Sequence, residues 1–87
     1  MRHARSDYNR FQDPYGLIPE DEPVFLLRGK DKYAAEAVML YADNILRDEL
    51  ATPEARAIAE RALEWSNNMR QYGIDHGVDY PDMPSDV

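Results

Sequence analysis

The chain has 87 residues, no cysteine and a formal net charge of −7. Its length allows one small domain, and the lack of cysteine excludes disulfide bonds and thiolate metal sites. The acidic balance disfavours direct binding to nucleic acids or to membrane surfaces, because both require clustered cations.

The first predicted segment, residues 1–23, is an irregular N-terminal arm. Prolines and Gly16 interrupt it, yet it carries five large apolar side chains: Tyr8, Phe11, Tyr15, Leu17 and Ile18. Pure linkers rarely hold so many such groups. We therefore expect the arm to lie on the domain or on a neighbouring subunit, and a mobile tail is the alternative.

Residues 24–73 are predicted to form a helical hairpin, so the fold class is mainly all-α. The domain opens with a short extended segment, residues 24–28, with the sequence VFLLR. This segment is either one strand or an extended part of the core. A single strand cannot form a sheet alone, so it would have to pair across subunits or pack as coil.

The first helix is predicted over about residues 32–50, with Asp31 as its N-cap. Its apolar residues cover an arc of roughly 200° in helical projection, whereas a surface helix needs a stripe of about 100°. We therefore expect this helix to be buried on two sides. One side would face the second helix, and the other would face something else.

The second helix is predicted over about residues 53–72. Thr52 caps it, Pro53 takes the first helical position, and Gly73 follows its end. The two or three residues that join the helices make them antiparallel neighbours. Heptad spacing predicts the core stripe of the second helix: Ala55, Ile58, Ala62, Trp65, Met69 and Tyr72.

Residues 74–87 are predicted to form an acidic C-terminal tail with two prolines and four aspartates. Asp75, His76, Asp79 and Asp82 match no established spacing of metal ligands, so no metal site is predicted.

Catalysis is not predicted either. Ser66 falls within the second helix, and no histidine stands at a helical spacing that would activate it. With no set of acid, base and nucleophile, we expect a protein that is not an enzyme and needs no cofactor.

The candidate ligand-binding residues are three cations at the start of the first helix and the tyrosine that follows them: Arg28, Lys30, Lys32 and Tyr33. A helix N-terminus with neighbouring cations favours phosphate or carboxylate groups, and a tyrosine can stack on a base. In a homo-oligomer, copies of this cluster meeting at a symmetry axis would form a cationic pocket. The alternative is an ordinary solvated turn whose charges contribute little.

The stretch from Glu22 to Ala42, EPVFLLRGKDKYAAEAVMLYA, resembles a segment of small proteins from bacteriophages and mobile elements. In these proteins a PVFxLR run precedes an acidic helix cap and an alanine-rich helix. The resemblance covers about a quarter of the chain. It implies a setting rather than a mechanism: a small accessory protein that counters host defence in the cytoplasm of a bacterial cell.

Three functional hypotheses follow. The first is a non-enzymatic homo-oligomer that sequesters an anionic, nucleotide-type signal. The second is an acidic inhibitor that mimics nucleic acid and blocks a host defence nuclease. It would use the acids of the arm and the tail: Asp13, Glu20, Asp21, Glu22, Asp75, Asp79, Asp82 and Asp86. The third is a purely structural small oligomer.

Overall fold

The computed structural model describes residues 15–81 together with the backbone of Arg2 and His3. Its elements, in chain order, are β1 (Arg2–His3), β2 (Pro23–Val24), α1 (Ala34–Arg47) and α2 (Pro53–Asp75). The predicted helical hairpin and its mainly α-helical class are confirmed. Predictions that concern Tyr8, Phe11, Asp13, Asp82 and Asp86 lie outside the described residues. The described residues divide into two compact units, with the boundary between Leu27 and Arg28.

The unit before Arg28 contains a two-stranded parallel sheet. Arg2 pairs with Pro23, and His3 pairs with Val24. The expectation that this segment would pair across subunits or pack as coil is therefore wrong, because β2 pairs with β1 of its own chain. The strand is also shorter than the predicted segment 24–28, since residues 25–28 are not part of it.

α1 is shorter at both ends than the predicted 32–50, because two aspartate side chains bind nearby backbone amides. Asp31 Oδ1 accepts the amide hydrogen of Tyr33 at 2.8 Å, so a turn precedes the helix and Tyr33 takes the N-cap position. At the other end, Asp48 Oδ1 accepts the amide hydrogen of Leu50 at 2.9 Å, and Asp48 has extended backbone angles. Such local bonds compete with the helical ladder.

The predicted start of α2 is confirmed. Thr52 Oγ1 accepts the amide hydrogen of Ala55 at 3.1 Å, and Pro53 is the first helical residue. This bond satisfies one of the backbone donors that every helix N-terminus leaves unpaired.

The predicted end of α2 at Gly73 is wrong, because the helix continues to Asp75. Gly77, with φ of +61°, is the residue in left-handed conformation. The amide of Val78 donates to the Gly73 carbonyl at 2.9 Å, and the amide of Gly77 donates to the Ile74 carbonyl at 3.4 Å. This pair of bonds is the Schellman motif that commonly closes helices at a glycine.

The hairpin interface is built from small side chains. The fully buried residues in the described part of the chain are Ala34, Ala42, Ala59 and Ser66. The Ser66 hydroxyl donates to the backbone carbonyl of Ala35 at 2.8 Å and thereby links the two helices. Side chains of this size let two helices approach closely, near the lower end of the usual 8–10 Å between axes.

The predicted core stripe is only partly correct. Ala55, Ala62 and Met69 are half-buried as expected, whereas Ile58, Trp65 and Tyr72 are exposed. The fully buried residues of α2 are Ala59 and Ser66, each one position after a residue of the predicted stripe. The large side chains would hold the helices apart, so the small ones occupy the interface and the large ones lie beside it.

Candidate functional site

A cleft of about 450 Å³ lies within the unit that begins at Arg28. Because the helices are antiparallel, the start of α1 meets the end of α2 there. Four pieces of chain line it: the turn before α1, the first turn of α1, the last turns of α2 and the Schellman turn. The lining residues are Gly29, Asp31, Lys32, Ala35, Glu36, Met69, Arg70, Gly73, Ile74, Gly77, Val78 and Asp79.

Backbone contacts hold the walls of this cleft together. The amide of Lys32 donates to the carbonyl of Tyr80 at 3.0 Å, which ties the turn before α1 to the segment after α2. Gly73 contributes no side chain to the wall, and an added Cβ there would lie 3.9 Å from Val78 Cβ. The cleft is therefore shaped by backbone as much as by side chains.

The charges of the cleft are mixed. Lys32 and Arg70 supply two cations, and Asp31, Glu36 and Asp79 supply three carboxylates. Lys32 Nζ lies 3.7 Å from Asp79 Oδ1, with side chains that are 39% and 92% exposed. At that distance and exposure the ion pair contributes little to stability.

The structure separates the four predicted ligand-binding residues. Lys32 lines the cleft, whereas Arg28, Lys30 and Tyr33 do not. Arg28 and Lys30 each have an interaction of their own, so neither is a free cation. The Lys32 ammonium lies 5.2 Å from the centroid of the Tyr33 ring, which places those two predicted residues side by side.

Arg70 is the cation of the cleft that the sequence analysis did not single out. It lies in the last turns of α2, and the antiparallel hairpin brings it to the same cleft as Lys32. In an antiparallel hairpin the end of the second helix lies beside the start of the first, and this rule applied to the predicted helices would have placed Arg70 near Lys32.

Tyr72 connects the end of α2 to the turn before α1. Its ring stacks on His76 with centroids 3.9 Å apart, and the Nδ1–H of His76 donates to the Tyr72 carbonyl at 2.9 Å. On Gly29, an added Cβ would lie 3.2 Å from Tyr72 Cδ1, so the glycine allows the backbone to approach the ring.

A second feature is an exposed apolar line along α2. Ile58, Trp65 and Tyr72 recur every seventh residue and are 54%, 53% and 43% exposed. Residues seven apart lie on the same side of a helix. We call these three residues the α2 stripe.

No group of three or more His, Asp or Glu side chains in residues 15–81 is placed to hold a metal ion. Neither helix of that part is long and apolar enough to cross a lipid bilayer.

Comparisons with protein-family models, with curated proteins and with solved structures give no match. The resemblance to bacteriophage proteins stays a prediction.

Proposed function

We propose that this chain is a non-enzymatic binding protein that works as a homo-oligomer, with the α2 stripe as the contact between copies. The observation that carries the proposal is that small side chains are buried in the hairpin while large apolar side chains are exposed. Three alanines and a serine are the fully buried residues of the described part, while the only tryptophan of the chain is about half exposed. Large aromatic side chains usually dominate cores and interfaces.

A second copy is the occupant that best fits the α2 stripe. Ile58 and Tyr72 each lie seven residues from Trp65. Two α2 helices that cross antiparallel at Trp65 would therefore set Ile58 of one copy against Tyr72 of the other. Such an interface is self-complementary, as the twofold symmetry of most homodimers requires, and heptad spacing suits two helices at a shallow crossing angle.

The exposed area of the α2 stripe supplies about half of what a small stable interface buries, roughly 1,200 Å² in total. Each side chain of the α2 stripe exposes roughly 100 Å². A pair of copies would bury about 600 Å² of apolar surface from the stripe, a gross contribution on the order of 15 kcal/mol. Association costs roughly 4–15 kcal/mol, so the stripe and the residues around it can supply a stable contact.

The bound ligand in this proposal is an anionic, nucleotide-type signal, and the setting is a bacteriophage protein that counters the defence of its bacterial host. Lys32 and Arg70 support the first part, because they bring two cations to one cleft of an acidic protein. The bacteriophage resemblance of residues 22–42 supports the second. Sequestration needs binding alone, which agrees with a protein that has no predicted catalytic set.

Native mass spectrometry of the full chain tests the assembly. We expect a symmetric oligomer for the wild type and a monomer for Trp65→Glu, because the substitution places a charge in the contact. Asn67→Glu is the matched control: Asn67 is exposed, lies on the same helix outside the α2 stripe and should leave the oligomer intact. Circular dichroism should give equal helix content for both variants.

A wild-type monomer at every concentration would contradict the proposed assembly, and so would an intact oligomer of Trp65→Glu. The same spectra recorded with mono-, di- and cyclic nucleotides test the capture. Added mass in proportion to the number of subunits is the expected result.

A further inference from the structure

We propose that the cleft between the start of α1 and the end of α2 binds a ligand with a single negative charge and an apolar body. The anionic group of this ligand would take the place of the Asp79 carboxylate beside Lys32. The inference rests on the proposed capture of an anion and deepens it, because it names the site and the charge of the ligand.

The ion pair of Lys32 and Asp79 marks where an anion is accommodated. Asp79 follows Gly77, the left-handed residue that turns the chain back after α2. Its carboxylate stands at the Lys32 ammonium but is 92% exposed and 3.7 Å away. A pair this exposed contributes little to stability, so another carboxylate or a phosphate can replace the Asp79 carboxylate at little cost.

Arg70 provides the second contact for such a group. It lines the same cleft as Lys32, and within residues 15–81 it has no hydrogen-bond or ion-pair partner. Arginine presents a planar set of donors that matches carboxylate and phosphate oxygens. A ligand that displaces Asp79 would thus gain a bidentate partner that Asp79 itself does not use.

The remaining charges determine how much negative charge the cleft accepts. With Asp79 displaced, Lys32 and Arg70 are balanced by Asp31 and Glu36. One incoming negative charge replaces that of Asp79, so the cleft keeps the net charge that it has in the unliganded protein. Each further negative charge is repelled by the carboxylates of Asp31 and Glu36. The cleft therefore favours a monoanion over a polyphosphate.

The rest of the cleft suits an apolar or aromatic body. Met69, Ile74 and Val78 supply apolar side chains, and Gly73 leaves space between them. The volume of about 450 Å³ lies within the range of roughly 300–1,000 Å³ that is typical of small-molecule sites.

NMR titration of the ¹⁵N-labelled full chain tests the inference. The probes are cyclic AMP and benzoate, which are both monoanions, with ATP as a polyanion and adenosine as the neutral control. We expect the amide signals of Gly73 and Gly77 to shift with the monoanions, and much less with ATP or adenosine. Shifts with cyclic AMP alone assign the site to nucleotides, and shifts with benzoate as well assign it to organic monoanions in general.

Two charge-matched pairs of variants identify the exchange with Asp79. Asp79→Asn should bind the monoanion about two- to five-fold more tightly, because it removes the competing carboxylate. Glu60→Gln changes the net charge equally on an exposed part of α2 and should have no such effect. Lys32→Gln should weaken binding, whereas Arg61→Gln, which is exposed and outside the cleft, should not.

The outcomes separate the two proposals. Equal or weaker binding by Asp79→Asn, or shifts that avoid the cleft while an anion still binds, would overturn the site but leave anion capture standing. No binding of any anionic probe, by the wild type or by Asp79→Asn, would overturn both. The oligomer is judged separately by its mass.

Discussion

At the scale of single residues, Ser66 explains most about how the hairpin is held in register. It is 1% exposed, and its hydroxyl bonds to the Ala35 carbonyl across the helix interface. A hydroxyl buried without a partner would cost free energy, so the bond fixes which turn of α2 faces the start of α1. The Ser66 hydroxyl, which was weighed above as a nucleophile, is thus engaged in a structural hydrogen bond.

Ser66→Ala should lower the free energy of unfolding by about 1 kcal/mol, the usual net value of one internal hydrogen bond. Urea denaturation followed by circular dichroism, at one fixed protein concentration, measures it. Asn67→Ala is the neighbouring control, because Asn67 is exposed and alanine is the better helix former. A Ser66→Ala variant as stable as this control would show that the inter-helix bond contributes nothing.

The sequence predicted individual residues well where the chemistry is local. Thr52 starts α2 by a hydrogen bond to the amide three positions away, and Pro53 takes the first helical position, where a missing N–H costs nothing. The prediction that Asp31 caps α1 is wrong, because its carboxylate accepts the amide hydrogen of Tyr33 in a turn before the helix and Tyr33 is the N-cap. Arg70 was missed because its place in the cleft depends on how the two helices pack, which no local pattern contains.

At the scale of the elements, the end of α2 depends on which glycine adopts the left-handed conformation. Gly73 lies inside the helix, whereas Gly77 has φ of +61°. Gly73 directly follows Tyr72, the last residue of the predicted apolar stripe, so the sequence pattern favours it as the end of the helix. The Schellman bonds to Gly73 and Ile74 determine the observed end.

Two alanine substitutions should therefore change stability in opposite directions. Gly73→Ala should stabilise the protein by about 0.5–1 kcal/mol, because the position is helical and the added Cβ meets Val78 at an ordinary distance. Gly77→Ala should destabilise it by about 1–2 kcal/mol, because an L-residue is strained at that φ. Urea denaturation of both variants measures the difference. The reverse order would place the helix end at Gly73.

The helix interface also shows why the heptad pattern selected the wrong side of α2. The spacing of Ile58, Trp65 and Tyr72 is correct for a helix contact, but the hairpin uses the adjacent small residues instead. A pattern of large apolar residues predicts that a face will be covered. It does not distinguish cover by the same chain from cover by another copy.

At the scale of the whole molecule, the apolar surface exceeds what one hairpin buries. The over-wide apolar arc predicted for the first helix corresponds to exposed side chains on α1 as well, with Leu40 57% and Tyr41 55% exposed. Small domains without disulfides commonly gain stability by association. Folding and assembly of this protein should therefore be coupled, and its stability should rise with protein concentration.

The most direct test of the central claim, that copies associate through the α2 stripe, is the fluorescence of Trp65 as the protein is diluted. Trp65 is the only tryptophan, so its emission reports the environment of the stripe alone. We expect emission at short wavelength when the protein is concentrated, with a shift to longer wavelength as dilution to nanomolar levels separates the copies. Emission typical of a water-exposed indole at every concentration, including those at which other copies are abundant, would contradict it.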